Sequence, residues 1–98
     1  MKKGFKAKIN WMMHKDGGRK NLPSQGTRYC PLIQINSGEK QSVWSIDFVC
    51  PNFKETNIIS FTFLVEDAPD ELLESNKIYN IYEGAKKVAE LEIIELDF

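Results

Sequence analysis

The chain has 98 residues, and its 13 basic and 14 acidic side chains give a formal net charge of −1. This length fits one domain over residues 1–98 and leaves no room for a second hydrophobic core. With 42% hydrophobic and 28% charged residues, the composition is that of a globular protein and excludes wholesale disorder. No apolar run approaches the roughly 20 residues that a membrane-spanning helix needs, so we expect no membrane interaction.

The charge is unevenly distributed along the chain. Residues 1–40 hold nine basic and two acidic residues, a net +7, whereas residues 41–98 hold four basic and twelve acidic residues, a net −8. Such asymmetry favours a surface that faces a polyanion. Alternatively, opposite charges on neighbouring strands pair with each other across a sheet. The sequence leaves both interpretations open.

Apolar and polar residues alternate with a period of two through most of the chain, which predicts half-buried strands. The six predicted strands cover residues 5–13, 29–35, 44–50, 59–65, 77–82 and 86–97. Pro31 has no N–H for a ladder and predicts a bulge or an edge position in the second strand. We expect five large side chains to be mostly buried: Trp44, Ile46, Phe48, Phe61 and Phe63.

Two irregular features are predicted between and within these strands. Residues 69–75 follow Ala68 with acids near their start, which favours a short helical turn there, and Asn76 is a good left-handed residue to end it. In the last strand the apolar phase slips at Ile93-Ile94, as a β-bulge would cause. We expect that bulge to point Leu91 and Ile94 to the same side.

Six regularly spaced strands without a long helix predict an all-β domain. In so short a chain, a single closed six-stranded β-barrel removes exposed sheet edges most completely, and a sandwich is the alternative.

The residues offer little for catalysis or metal binding. His14 is the sole imidazole, and Cys30 and Cys50 lack a C-x-x-C spacing, so we expect no catalytic residue, no metal site and no cofactor. Both cysteines are expected to be reduced, inert, buried thiols. The basic residues at the start of the sequence are not followed by the apolar stretch of a signal peptide. Together with the two free thiols, this favours a cytoplasmic location.

Three segments in order resemble the C-terminal β-barrel (third domain) of elongation factor Tu and related translational GTPases. The family's Glu-Gly-Gly-Arg-His and Tyr-Arg-Pro segments correspond to residues 16–20 and 28–31. Its proline, turn and following strand correspond to residues 69–81, and its Arg-Glu-Gly-Gly-Arg-Thr-Val-Gly to residues 82–89. The resemblance covers residues 5–96. There is no G-x-x-x-x-G-K-[ST] and no second barrel, so we expect no nucleotide binding.

The resemblance implies a stand-alone barrel whose basic loops face a partner. In the family these loops lie toward bound tRNA and partner proteins, and the carry-over covers Gly18, Arg19, Lys20, Gly84 and Lys86, with Arg28 displaced from the motif. Charge alone adds Lys15 and Lys87, and Gly17-Gly18 could present backbone N–H groups to a phosphate. The family's second Gly and Arg of the last segment are here Ala85 and Lys86, which loses the bidentate fork of arginine.

Two functions fit these residues. The favoured hypothesis is a non-enzymatic protein-interaction module of a regulatory or immunity type, docking a protein through its acidic half or a hydrophobic rim. The alternative is binding of structured RNA, tRNA or a ribonucleoprotein by the basic loops. A small molecule in the barrel mouth is disfavoured, because side chains normally fill a six-stranded barrel.

Overall fold

The computed structural model describes residues 4–12, 21–65, 67–68 and 73–96. It contains seven strands: β1 (Phe5–Trp11), β2 (Arg28–Tyr29), β3 (Leu32–Ser37), β4 (Lys40–Val49), β5 (Ile58–Phe63), β6 (Ile78–Glu83) and β7 (Lys86–Leu96). No helix occurs among these described residues, and most of the helical turn expected near residues 69–75 lies outside them. The prediction of an all-β domain is confirmed.

Six of the strands close into an antiparallel barrel. Their order is β4-β3-β6-β7-β1-β5, and a further pairing of β4 with β5 completes the ring. The closing ladder is short, because only Ile46↔Phe63 and Asp47↔Thr62 are paired between β4 and β5. The predicted closed six-stranded barrel is therefore confirmed, with β2 as one extra strand.

Pro31 divides what the sequence predicts as one strand into β2 and β3. Tyr29 faces Phe48 and Leu32 faces Ser45, so both pieces pair with β4 in one register. The ladder is bridged by the Ile46 N–H, which donates to the Pro31 carbonyl at 3.0 Å. A proline that lacks its own N–H thus interrupts the strand without shifting its register.

The barrel core is filled by the inward-facing residues of every long strand. The buried set includes Phe5, Ile33, Ile46, Phe61 and Leu91. Within the core, the rings of Phe5 and Phe61 stack with centroids 5.3 Å apart. Four of the five side chains expected in the core are buried, and the fifth, Trp44, is only half-buried, because it lies toward the barrel end.

The bulge predicted near the end of β7 is present, but its effect on Ile94 was wrongly predicted. Lys6 faces Glu95 while Ala7 faces Ile93, which leaves Ile94 as the extra residue. Ile94 is 43% exposed, whereas Leu91 is fully buried. Ile94 is the unpaired extra residue of this bulge and faces outward, so Leu91 and Ile94 lie on opposite sides of the sheet.

Two further backbone irregularities occur at the β6–β7 pair: a second bulge in β7 and a left-handed residue before β6. Ile81 faces Ala89 and Tyr82 faces Lys87, so Val88 is inserted, and both Val88 and Ala89 are buried. Asn76 has φ 65°, as its sequence position predicts, and its N–H donates to the Ile93 carbonyl at 2.8 Å. This bond ties the turn before β6 to β7.

Candidate functional site

Of the eight site residues predicted from the sequence, half lie outside the described residues. These are Lys15, Gly18, Arg19 and Lys20, all in the segment between Met12 and Asn21. The structure does describe where the chain leaves the barrel for that segment. The Met12 N–H donates to the Val88 carbonyl at 2.8 Å, so the chain leaves β1 beside the start of β7.

The other predicted loop is the two-residue hairpin between β6 and β7. Gly84 has φ 61°, and a type II′ hairpin needs a glycine at this first loop position. Glu83 and Lys86 face each other where the hairpin begins. Because this hairpin also joins β7 at its start, it lies at the same end of the barrel as Met12.

The two lysines after Gly84 are in different environments. The Lys86 side chain is exposed and forms no hydrogen bond or ion pair within the described part of the chain. The Lys87 Nζ donates to the Glu90 carboxylate at 3.0 Å, on the same strand. Lys86 therefore remains available to an external anion, and Lys87 is partly neutralised.

Arg28 is held in an ion pair rather than presented as a free cation. Its Nε and second guanidinium nitrogen donate to the two oxygens of Asp47 at 2.8 and 2.9 Å. This bidentate hydrogen bond raises the pKa of Arg28. The guanidinium still has outward area, but phosphate binding would have to compete with the carboxylate.

Cys30 is exposed, which contradicts its prediction as a buried thiol, and Cys50 is buried as predicted. Cys30 lies beside Pro31, where the break between β2 and β3 leaves its side chain on the outer surface. Desolvation by the surrounding atoms and the negative charge of Asp47 both raise the pKa of the Cys30 thiol. A thiol that stays protonated is a poor nucleophile.

Part of the charge asymmetry is neutralised across strands. Lys8 of β1 faces Glu92 of β7, and Arg28 pairs with Asp47, so in each case a basic residue of the first forty meets an acid from later in the chain. On the acidic side, the Glu74 carboxylate accepts a hydrogen bond from Lys77 at 2.9 Å and raises the pKa of that lysine. Cross-strand pairing thus explains some of the uneven charge.

An aromatic cluster occupies the barrel end where β1 finishes. Trp11 contacts Tyr29 and Phe53 with ring centroids 5.8 and 5.4 Å away, and Tyr29 packs edge-on against Phe48. The Tyr29 hydroxyl donates to the Glu83 carboxylate, which joins this cluster to the β6–β7 hairpin. Both tryptophans, Trp11 and Trp44, are half-buried.

A cleft beside this cluster was not predicted from the sequence. It has a volume of about 500 Å³ and lies between residues 21–25 and the turn at 52–54. Its lining includes Phe53 and the exposed Lys54, which adds a cation at this end of the barrel. Its two walls are about 30 residues apart in the sequence, so no local pattern predicts that they meet.

The outer surface of the barrel carries a second feature that the sequence did not reveal. Tyr82 faces Leu32 and Leu32 faces Ser45, whose carbonyl accepts the N–H of Leu64 at 2.9 Å. Val43 is the next outward residue on β4. We call Leu32, Val43, Leu64 and Tyr82 the outer apolar band; it crosses four strands.

The outer apolar band is accessible to a partner. Val43 is 48% exposed and Leu64 is 37% exposed, while Leu32 and Tyr82 are half-buried. A depression of about 230 Å³ adjoins it, lined by Gln34, Gln41, Val43, Tyr82, Gly84 and Ala85. Alternation pointed to these positions as outward, but only the strand order shows that they are neighbours.

The described residues contain neither a group of three or more potential metal ligands nor a helix of the length and apolarity that crossing a membrane demands. No family model matches the chain, and no curated protein matches it. Its function must therefore be inferred from the arrangement of its own residues.

Proposed function

We propose that the chain is a non-enzymatic binding module that docks a protein partner through the outer apolar band. The observation that carries this proposal is the run of exposed and half-exposed apolar side chains from the residue after β5 across β4, β3 and β6. Contiguous exposed apolar surface is a feature of interaction sites, whereas isolated exposed residues are ordinary. The resemblance to the third domain of elongation factor Tu supports a cytoplasmic module of this kind, since that barrel also contacts proteins.

The composition of the band fits a protein better than a nucleic acid. None of its four members is charged, and the nearest cation on β2, Arg28, is already bound to Asp47. A phosphate backbone gains little from such a surface, because its binding depends on lysine and arginine contacts. An aliphatic or aromatic side chain of a partner would bury area against Val43 and Leu64.

The test is affinity capture with a matched pair of variants. The tagged protein is recovered from its native cell with and without nuclease, alongside Leu64→Glu in the band and Val49→Glu outside it, at the end of β4. Val49 is 64% exposed, so both changes add one carboxylate to an accessible site. We expect a stoichiometric protein that resists nuclease, is lost with Leu64→Glu and is kept with Val49→Glu.

Equal retention of that protein by both variants would contradict the proposal. Circular dichroism of each variant checks that the barrel is intact. Charge reversal at Glu71 and Glu74 tests the separate hypothesis that the acidic half carries the contact, and a loss confined to those reversals would move the docking site there.

RNA binding is the second candidate, and one observation favours it. The bond between Met12 and Val88 brings the entrance to the basic segment beside the hairpin that carries Lys86. If Lys15, Arg19, Lys20 and Lys86 contact about four phosphates, log K against log salt should fall with a slope of roughly −3 to −4. Reversing Arg19 and Lys86 to Glu should then abolish binding of structured RNA with little change in thermal stability.

A further inference from the structure

The strand β4 is longer than the partner that closes the barrel against it. Along one side, β3 and β2 pair with it from Lys40 to Val49. Along the other side, the β5 ladder pairs only Ile46 and Asp47, and one more bond joins Leu64 to the Ser45 carbonyl. The first half of β4 therefore has a second side that no described strand covers.

The direction of the backbone groups shows which of them are left over. Ile46 and Cys50 donate toward β2 and β3, whereas Ser45 accepts from the β5 side. Successive residues of a strand direct their N–H and C=O groups to opposite sides. The N–H and C=O of Gln41 and Val43 consequently face the uncovered side and have no partner in the described part of the chain.

Within the described part of the chain, this edge lacks the features that usually prevent strand addition. Natural edges are blocked by proline, by bulges, by charged residues or by a covering element. From Gln41 to Trp44 the edge has no charge, no proline and no register shift, and Lys40 is its only charged residue. Exposed Val43 lies on it, and exposed Leu64 and Val65 lie where β5 leaves it.

The edge is complementary to a second copy of itself. In an antiparallel pair centred on Ser42, Gln41 of one copy faces Val43 of the other, so every free donor and acceptor of these residues finds a partner. Lys40 then faces Trp44 of the second copy, an arrangement that favours a cation–π contact. No like charges oppose each other.

We propose that two copies of this chain associate through their β4 edges, with Ser42 on the two-fold axis and Gln41 paired with Val43. Stable specific interfaces bury about 1,200–2,000 Å² in total, and five paired residues per copy fall short of that. The dimer is accordingly weak and forms only as the protein concentration rises. This association rests on backbone groups of β4 and not on the docking proposed for the outer apolar band, although the two surfaces share Val43.

Disulfide trapping tests the register directly. In a Cys30→Ser background, Ser42→Cys places two thiols at a non-hydrogen-bonded pair, where Cα atoms are about 4.5 Å apart and a disulfide can form. Val43→Cys in the same background is the matched control, because Val43 faces Gln41 and not itself. Mild oxidation should cross-link Ser42→Cys into a dimer and leave Val43→Cys monomeric.

Sedimentation velocity of the full chain gives the second readout. The average mass should rise toward that of two chains with concentration, and Gln41→Pro should weaken association about tenfold or more while remaining folded, because the N–H it removes is not used by the barrel. A chain that stays monomeric and does not cross-link overturns the proposal. So does faster cross-linking of Val43→Cys, or a Gln41→Pro protein that associates like the original. Loss of a captured protein partner in Gln41→Pro, with the chain itself monomeric, would assign the edge to that partner instead.

Discussion

Two ladders of the barrel differ greatly in length. β1 and β7 are paired from Phe5↔Leu96 to Trp11↔Ala89 and absorb one bulge, whereas β4 and β5 share two register pairs. Along β4, the shorter ladder leaves the backbone groups of Gln41 and Val43 without a partner among the described residues. In a closed barrel, sheet edges are removed only where both strands are long enough, so the short ladder is where a partner can add.

The largest expected effect comes from the core that both ladders enclose. Phe61 is 1% exposed on β5 and stacks on Phe5 of β1. Replacing it with Ala should lower the free energy of unfolding by about 3–5 kcal/mol, because a large cavity opens between the two strands. Urea unfolding measures this, and a loss below about 1 kcal/mol would show that the core does not depend on the β1–β5 contact.

The next prediction separates the two sides of β4. Ser42→Pro removes an N–H that faces Ile35 on β3, and we expect a loss of at least about 2 kcal/mol. Gln41→Pro removes the neighbouring N–H on the uncovered side and should cost less than about 1 kcal/mol. Equal losses in chemical unfolding would contradict the assignment of a free edge.

A smaller effect is expected at Asp47, which belongs to the short ladder. Its negative charge helps to raise the pKa of Cys30, so less thiolate is present near pH 8 than in a free cysteine. Asp47→Asn should lower that pKa and speed alkylation of Cys30 by about two- to tenfold. Cys50, which is buried, serves as the internal control, and an unchanged rate at Cys30 would remove Asp47 as a cause.

The smallest effect is expected on the long ladder. Lys8 is exposed and faces Glu92, and Lys8→Glu should destabilise the barrel by less than about 1 kcal/mol through like-charge repulsion. The effect should fade as salt is added, because exposed charges are screened. A loss that persists in high salt would mean that Lys8 contributes by packing.

Features of the fold that depend on residues close in the sequence could be predicted, and features that depend on contacts between distant segments could not. Alternation placed Ile33, Ile46 and Phe61 in the core, because a strand with one buried face dictates side-chain phase locally. The slip at Ile93-Ile94 located a bulge, but it could not show which residue was the extra one. That depends on β1, where Lys6 and Ala7 set the register.

The surface features were harder to predict for the same reason. Tyr82, Leu32 and Leu64 become neighbours only through the order β6-β3-β4-β5, and no local pattern encodes that order. The exposure of Cys30 follows from the break in the strand at Pro31. The sequence predicted an irregularity at this proline, but not which neighbouring side chain would face outward. For the basic loops, the structure adds the position of Met12 beside Val88, and Lys15, Arg19 and Lys20 stay a prediction.

The pairing of β1 with β7 also determines when this barrel can form. The hairpins β3–β4 and β6–β7 have two-residue loops and can form locally. The pairing between residues farthest apart in the sequence joins the first described strand to the last. Contacts between residues so distant in the sequence cost loop-closure entropy before the strands gain any pairing energy, and this slows folding. During synthesis, the barrel therefore cannot close until β7 has left the ribosome. Until then β1 can pair only with β5, and its β7-facing edge stays unpaired, which makes the incomplete barrel prone to aggregation.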